Sequence, residues 1–167
     1  MLDIVKIGDE VLRGKCTEVT EFDEAFRILL DAMFETLEEA EGLGLAAPQV
    51  GVDQRFFIVS LPDGIKKEFI NPEITGTSVE TEPYEEGCLS IPGVYHEVER
   101  PSKVIISAQD AYGVPFTLKA AGLLARVIQH EYDHLNGVLF IDHLDEEEKA
   151  RVVKEYEKRN KKGKRHN

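Results

Sequence analysis

The sequence predicts an α+β fold: a mixed or antiparallel sheet of short strands packed on a central metal-binding helix, with an N-terminal and a C-terminal helix. Three observations carry this reading. Short β-branched and aromatic stretches follow one another with turn residues between them, and without the intervening helices of βαβ repeats. An apolar stripe at three- and four-residue spacing runs through Leu123, Leu124, Val127, Ile128 and Leu135. A second stripe, Phe26, Leu29, Leu30, Met33, Phe34 and Leu37, lies near the amino end, with acidic residues on its other face.

The 167 residues are read as one domain, 1–167, long enough to bury a real core. A hydrophobic content of 42% with 31% charged residues excludes a disordered or fibrous chain. No signal-peptide pattern and no apolar span of about 18 residues occurs, so a cytoplasmic protein without a membrane partner is expected. Cys16 and Cys88 are too few for a disulfide framework and suit a reducing compartment. The net charge of −12 argues against binding of free nucleic acid. From Lys149 onwards the sign reverses, and 159–167 reads as a basic, frayed tail.

In order, Ile4–Ile7 reads as a short extended piece and Gly8-Asp9-Glu10 as a turn. A helix is expected from about Asp23 to Glu41, capped by Asp23 and ended by Gly42. Gly42–Gly51, GLGLAAPQVG, is small, apolar and almost uncharged. It is either a tight buried turn or a loop that approaches a ligand, with Gln49 as a fixed donor. Arg55–Leu61 is a strand closed by the Pro62-Asp63-Gly64 turn. Phe69–Pro72 and Ile74–Val79 read as separate strands broken by Pro72. Val94–Val98, Val104–Ala108 and Val114–Leu118 are further strands, the last two joined by Asp110–Gly113. A helix from about Ala120 to Asn136, the stretch Val138–Ile141, and a helix begun by Asp145 and Glu148 complete the chain.

The chemistry concentrates at the end of the 120–136 helix, in Gln129-His130-Glu131-Tyr132-Asp133-His134. His130 and His134 are i and i+4, so their imidazoles point to one spot, and Glu131 can reach a water held there. This HExxH pattern reads as two metal ligands and a general base. The third ligand is open on spacing alone. The zincin-type peptidase pattern places Phe140 where its third His would stand, although Glu146, Glu147 or Glu148 could ligate instead. Cys88, in Glu86–Gly93 (EGCLSIPG), is either a small buried hydrophobe or a thiolate that completes a site with one open position. A non-catalytic structural site would need a fourth ligand, for which His96 and His143 are candidates.

GLGLAAPQVG, EGCLSIPG and QHEYDHLNG, with ETLEEAEGLG before them and LFIDHL after, resemble the signature motifs of the peptide deformylase family, in the right order and over nearly the whole chain. The resemblance implies Cys88, His130 and His134 as ligands to Fe2+, with zinc, nickel or cobalt able to substitute. It implies Glu131 as general base and acid, and the Gln49 side chain and Leu89 backbone N–H as oxyanion donors. The implied substrate is the N-formyl-methionyl nascent peptide, with Gly44 pairing its backbone. Leu43, Tyr84, Leu123, Val127 and the stem of Arg126 are candidates for the methionine slot. The chain departs from the family at Gly8-Asp9-Glu10, where prolines are frequent, and at Tyr95, where some members carry arginine. Since the implied substrate emerges from ribosomes, the basic tail is expected to make a weak ribosome contact.

Overall fold

Phe56, Phe57, Ile58 and Val59 are buried at every position, and this unalternating burial sets the layers of the molecule. The computed structural model describes residues 1–165, with side chains through Asn160. Its elements are α1 (Glu24–Glu39), β1 (Gly44–Ala46), β2 (Phe56–Ser60), β3 (Lys66–Thr77), β4 (Thr81–Cys88), β5 (Ile91–Pro101), β6 (Lys103–Gln109), β7 (Pro115–Ala121), α2 (Gly122–Leu135) and α3 (Glu146–Arg165). Three short 3₁₀ turns, Glu10–Arg13, Ala47–Val50 and Phe140–His143, join them.

A five-stranded sheet runs in the order β1-β2-β3-β6-β7, and β4 and β5 form a separate two-stranded ribbon. Every strand pairing is antiparallel. Phe57 and Val59 face α2, where they pack with Val127, Ile128 and Leu135. Phe56 and Ile58 face α1 and its Phe26, Leu30, Met33 and Leu37. The ribbon buries Ile91, Val94 and Val98 against Phe140, Ile141, Val152 and Tyr156, and so is carried by α3. Burying one such large apolar side chain is worth about 1.5–3 kcal/mol, so these three clusters outweigh any exposed ion pair.

Some expectations are met, some are corrected, and others gain detail. Asp23 does cap α1, accepting the Phe26 N–H at 2.9 Å. The left-handed residue that stops the helix is Glu41 (φ 56°), however, with Gly42 N–H closing on Leu37 O. Gly42 gives room to its neighbours: a Cβ there would lie 2.8 Å from Leu89 Cδ1 and 2.9 Å from Leu37 Cδ1, and both side chains would have to shift. Pro72 does not break β3. It sits in a register shift between Ile70 and Glu73, where no ladder N–H is required, next to Asn71 at φ 50°. β4 was not foreseen, because Thr81–Glu86 is acidic and contains Pro83. Val138–Ile141 leads into a 3₁₀ turn. Ile4–Ile7 joins no strand, yet Val5 N–H bonds Gln49 O and Ile7 N–H bonds Ser90 O, which ties two distant turns together. The basic stretch 159–167 lies on the last turns of α3 and, for its final two residues, outside the described residues.

Asp145 begins α3 by accepting the Glu148 N–H at 2.8 Å. Just before it, Asp142 accepts from the Arg13 guanidinium, from Lys149 Nζ at 2.8 Å and from Leu139 N–H at 2.9 Å. Burial pushes this carboxyl up, but those donors outweigh burial and bring it from its ordinary 3.8 to about 2. The fold therefore favours the charged form. That contribution is complete above the unfolded value and disappears as pH falls through the folded one. Asp142→Asn should lower the thermal midpoint by a small amount that is constant between about pH 5 and 7. The deficit should close as pH falls from about 4 to 2. Thermal unfolding of both proteins across this range checks it, and a deficit independent of pH would show that something other than the charge was lost.

Candidate active site

Three segments from different layers meet around a cleft of about 340 Å³. The sheet contributes β1 and the 3₁₀ turn after it, the ribbon contributes the β4–β5 turn, and α2 closes the third side. β1 is the edge of its sheet, bonded to β2 on one side only, and its other side borders the cleft.

His130 and His134 stand one turn apart on α2 with ring centroids 5.2 Å apart. The ribbon delivers Cys88 as the last residue of β4, and its Sγ lies 3.4 Å from His134 Nε2. The donor atoms of Cys88, His130 and His134 all lie within 4.8 Å of one another. A sulfur and two imidazole nitrogens form a donor set suited to zinc- or iron-like cations, with one coordination position left for water or substrate. Glu131 Oε1 is fully buried beside them and has no hydrogen-bond partner, as is His134 Nδ1. A buried carboxylate oxygen left unpaired costs stability unless something is bound, so the residues fit a single cation with a water beside Glu131.

Neither candidate for a fourth ligand belongs to this cluster. His96 pairs with Glu148 at 3.0 Å and His143 with Asp133 at 2.7 Å. Glu146 and Glu147 are also outside it, and Phe140, at the third-His position of the peptidase pattern, stacks on His130 at 6.0 Å. Cys16 packs at the margin of the α2 core, and burial pushes its thiol up.

Burial pushes the Glu131 carboxyl up, to about 7, with the His130 charge opposing. Burial and the charge on His130 hold His134 well below the usual imidazole range, in the neutral form that can ligate. His130 moves the other way. Burial lowers it, but hydrogen bonds to Cys88 and Glu86 more than compensate. Its Nδ1 lies 2.8 Å from Glu86 Oε1, which turns Nε2 towards the cluster.

Glu86 is itself 5% exposed and takes Arg100 Nε at 2.7 Å, Arg100 NH2 at 3.0 Å and Arg126 NH1 at 2.8 Å. Burial raises this carboxyl, yet the His130 and Arg100 hydrogen bonds hold it well below the carboxylate range. Gln49 is 1% exposed. Its Oε1 accepts Ala46 N–H at 2.9 Å, which leaves Nε2 to donate to Ser90 Oγ at 3.2 Å and to Cys88 Sγ at 3.5 Å.

Leu43, Gly44, Gln49, Tyr84, Leu89, Leu123, Arg126 and Val127 all line the cleft. Arg126 does so with its head group engaged by Glu86, Val98 O and Glu82 O. The partners Arg100, Ser90 and Asp133 escaped the sequence reading. The available signal was Arg126, a guanidinium on the apolar face of α2, which demands a buried anion.

An HExxH helix, a thiolate from a second element and an open cleft define a single-cation metallohydrolase. The chain belongs to the peptide deformylase family: residues 1–150 match the family model described as "Polypeptide deformylase". It is 46% identical over 163 residues to a peptide deformylase of Azotobacter vinelandii, covering 96% of this chain and 97% of that one. A second relative, from Cellvibrio japonicus, is 44% identical over 165 residues, 98% of each chain. Among solved structures, a peptide deformylase from Legionella pneumophila superposes with a TM-score of 0.93 at 38% identity, covering 99% of this chain and 98% of that one. One from Synechococcus elongatus, solved in complex with actinonin, gives 0.88 at 44% identity, covering 93% and 85%.

Gly44 has no room for a side chain, since a Cβ would lie 2.7 Å from Glu131 Oε2 and 2.8 Å from Val127 Cγ1. Gly44→Ala should therefore displace Glu131 while leaving the donor cluster intact. Misplacement by about 1 Å can cost on the order of 10²-fold in turnover. Kinetics on protein of verified metal content checks this, and unchanged turnover would mean that Glu131 adjusts freely.

Proposed function

We propose that Cys88, His130 and His134 hold one ferrous iron, replaceable by zinc, nickel or cobalt, and that Glu131, Gln49 and Leu89 carry the chemistry around it. The reaction is deformylation: the N-formyl group of the initiator methionine of a nascent polypeptide is hydrolysed to formate and a free amine. The observation that carries the assignment of roles is the Cys–His–His donor cluster with an unpartnered Glu131 oxygen beside it.

When bound, the cation lowers the pKa of a water towards about 7, so that the nucleophile is available at neutral pH. Glu131 accepts the water proton and returns it to the departing amine nitrogen, and a carboxyl near 7 can do both. The oxyanion formed on the formyl carbon needs fixed donors. Gln49 Nε2 is one, immobilised through its own Oε1, and the Leu89 backbone N–H in the β4–β5 turn is the other. The peptide enters as an added strand along the free edge of β1 at Gly44. Its methionine side chain lies among Leu43, Tyr84, Leu123, Val127 and the Arg126 stem.

No helix among the described residues is long and apolar enough to cross a membrane. The proposed substrate class supports a location beside protein synthesis, in the cytoplasm. We extend the reading to a weak ribosome contact through 159–167, whose charge opposes that of the rest of the chain. Deletion of those residues should abolish salt-sensitive co-sedimentation with ribosomes and leave turnover of a short formyl-peptide unchanged. Equal sedimentation of both proteins would remove the tail from this role.

Formate release from a formyl-Met peptide by anaerobically iron-loaded protein tests the whole reading. Glu131→Gln should retain the metal and lose about 10²–10⁴-fold in turnover. Near-normal turnover in a fully metallated variant would exclude Glu131 as the proton carrier.

A further inference from the structure

On the side of α2 away from the cleft, a surface hollow is lined by Glu99, Arg100, Gln129, Tyr132, Asp133 and His143. It contains charged groups that the deformylation chemistry does not use. Arg100 joins them to the site. Its Nε and NH2 hold both oxygens of Glu86, and its NH1 reaches Asp133 Oδ2 at 2.8 Å. The same Asp133 oxygen lies 2.7 Å from His143 Nε2. The chain of contacts therefore runs from His130 Nδ1 through Glu86, Arg100 and Asp133 to His143, whose side chain is 37% exposed.

We propose that Asp133 and His143 are positioning residues for the metal ligand His130, acting through Arg100 and Glu86. This rests on the assignment of His130 as a ligand. Glu86 is drawn by three cationic or N–H partners at once, and the direction of each pull fixes where Oε1 presents itself to His130. Because a guanidinium is a rigid planar fork, anchoring its third nitrogen fixes the plane in which Arg100 grips Glu86. Asp133 is that anchor, and it is only partly shielded from water, with 22% of its side chain exposed. His143 Nε2 occupies the Asp133 oxygen on the outer side and holds it towards Arg100 in place of solvent. Groups that orient a ligating imidazole typically change metal affinity by about 10–100-fold when lost.

Cobalt binding to the full-length apo-protein tests this by affinity and by the visible absorption of the bound ion, neither of which requires turnover. Asp133→Asn should weaken cobalt binding by about 10-fold and shift the absorption bands. His143→Ala should do both to a smaller extent, and its exposed position keeps the variant folded. His143→Gln, whose amide can donate from a similar place, should recover most of the loss. His96→Gln, on the ribbon and paired with Glu148, should match the wild type. Wild-type affinity and spectrum in both Asp133→Asn and His143→Ala would overturn the proposal, as would a His143→Gln variant no better than His143→Ala. Formate release by the wild type reports separately on the deformylase reading: its absence, with cobalt affinity still dependent on His143, would sink that reading and leave the positioning role standing.

Discussion

One buried carboxylate holds this molecule together at the place where it works. Glu86 on β4 is nearly inaccessible, and it is surrounded by Arg100 from β5 and by Arg126 and His130 from α2. Burying these charges is expensive, and the attraction among them offsets the cost only because every oxygen is doubly satisfied. Removing Glu86 would leave the buried Arg126 guanidinium with carbonyl partners alone, at about 3–5 kcal/mol, more than any single apolar contact here contributes. The cluster is also the joint between the ribbon and α2, so it brings Cys88 to the two histidines. Orientation of His130 and docking of the ribbon are the same event.

The sheet meets that joint with a free edge. β2 is apolar on both faces because α1 and α2 cover it, which leaves β1 as a short edge strand held from one side. Small residues there, Gly42, Gly44 and Ala46, let α2 and the β4–β5 turn approach the backbone closely. The amino-terminal segment then pins Gln49 and Ser90 through their carbonyls, and the Gln49 amide bridges from β1 to Cys88. Rigid support for a donor group thus comes from residues without chemistry of their own.

Much of this was legible in the sequence, for identifiable reasons. α1 and α2 announced themselves through apolar periodicity, Asp23 through its capping position, and the His130–His134 pair through i,i+4 spacing. The cleft residues were found because three motifs resembled one family, and their separation in sequence gave no geometric hint that they meet. What stayed hidden depends on tertiary partners. β4 is acidic and interrupted by proline, so it lacks a strand's local pattern, and its pairing with β5 supplies the order instead. Pro72 breaks a strand only if its N–H is needed, and a bulge at that place removes the need. Gly42 stops a helix in the sequence view, whereas in the fold Glu41 takes the left-handed turn and Gly42 makes room for Leu89. Arg100 lies beyond the strand expected at Val94–Val98, and only the pairing of β4 with β5 sets it between Glu86 and Asp133.

The separation of the ribbon from the sheet also dictates when the site can exist during folding. A two-stranded ribbon is marginal by itself and becomes stable when Ile91, Val94 and Val98 settle on α3 and the turn before it. Contacts from Cys88 to His134 and from Glu86 to His130 close loops spanning 46 and 44 residues, which are slow to form compared with the hairpins and helices. The ribbon must dock on α3 and on α2 before the three donor atoms converge, so the cation site is complete only once that tertiary assembly is. A partly folded chain holds a scattered thiol and two separate imidazoles, and only the finished fold brings them within reach of one ion.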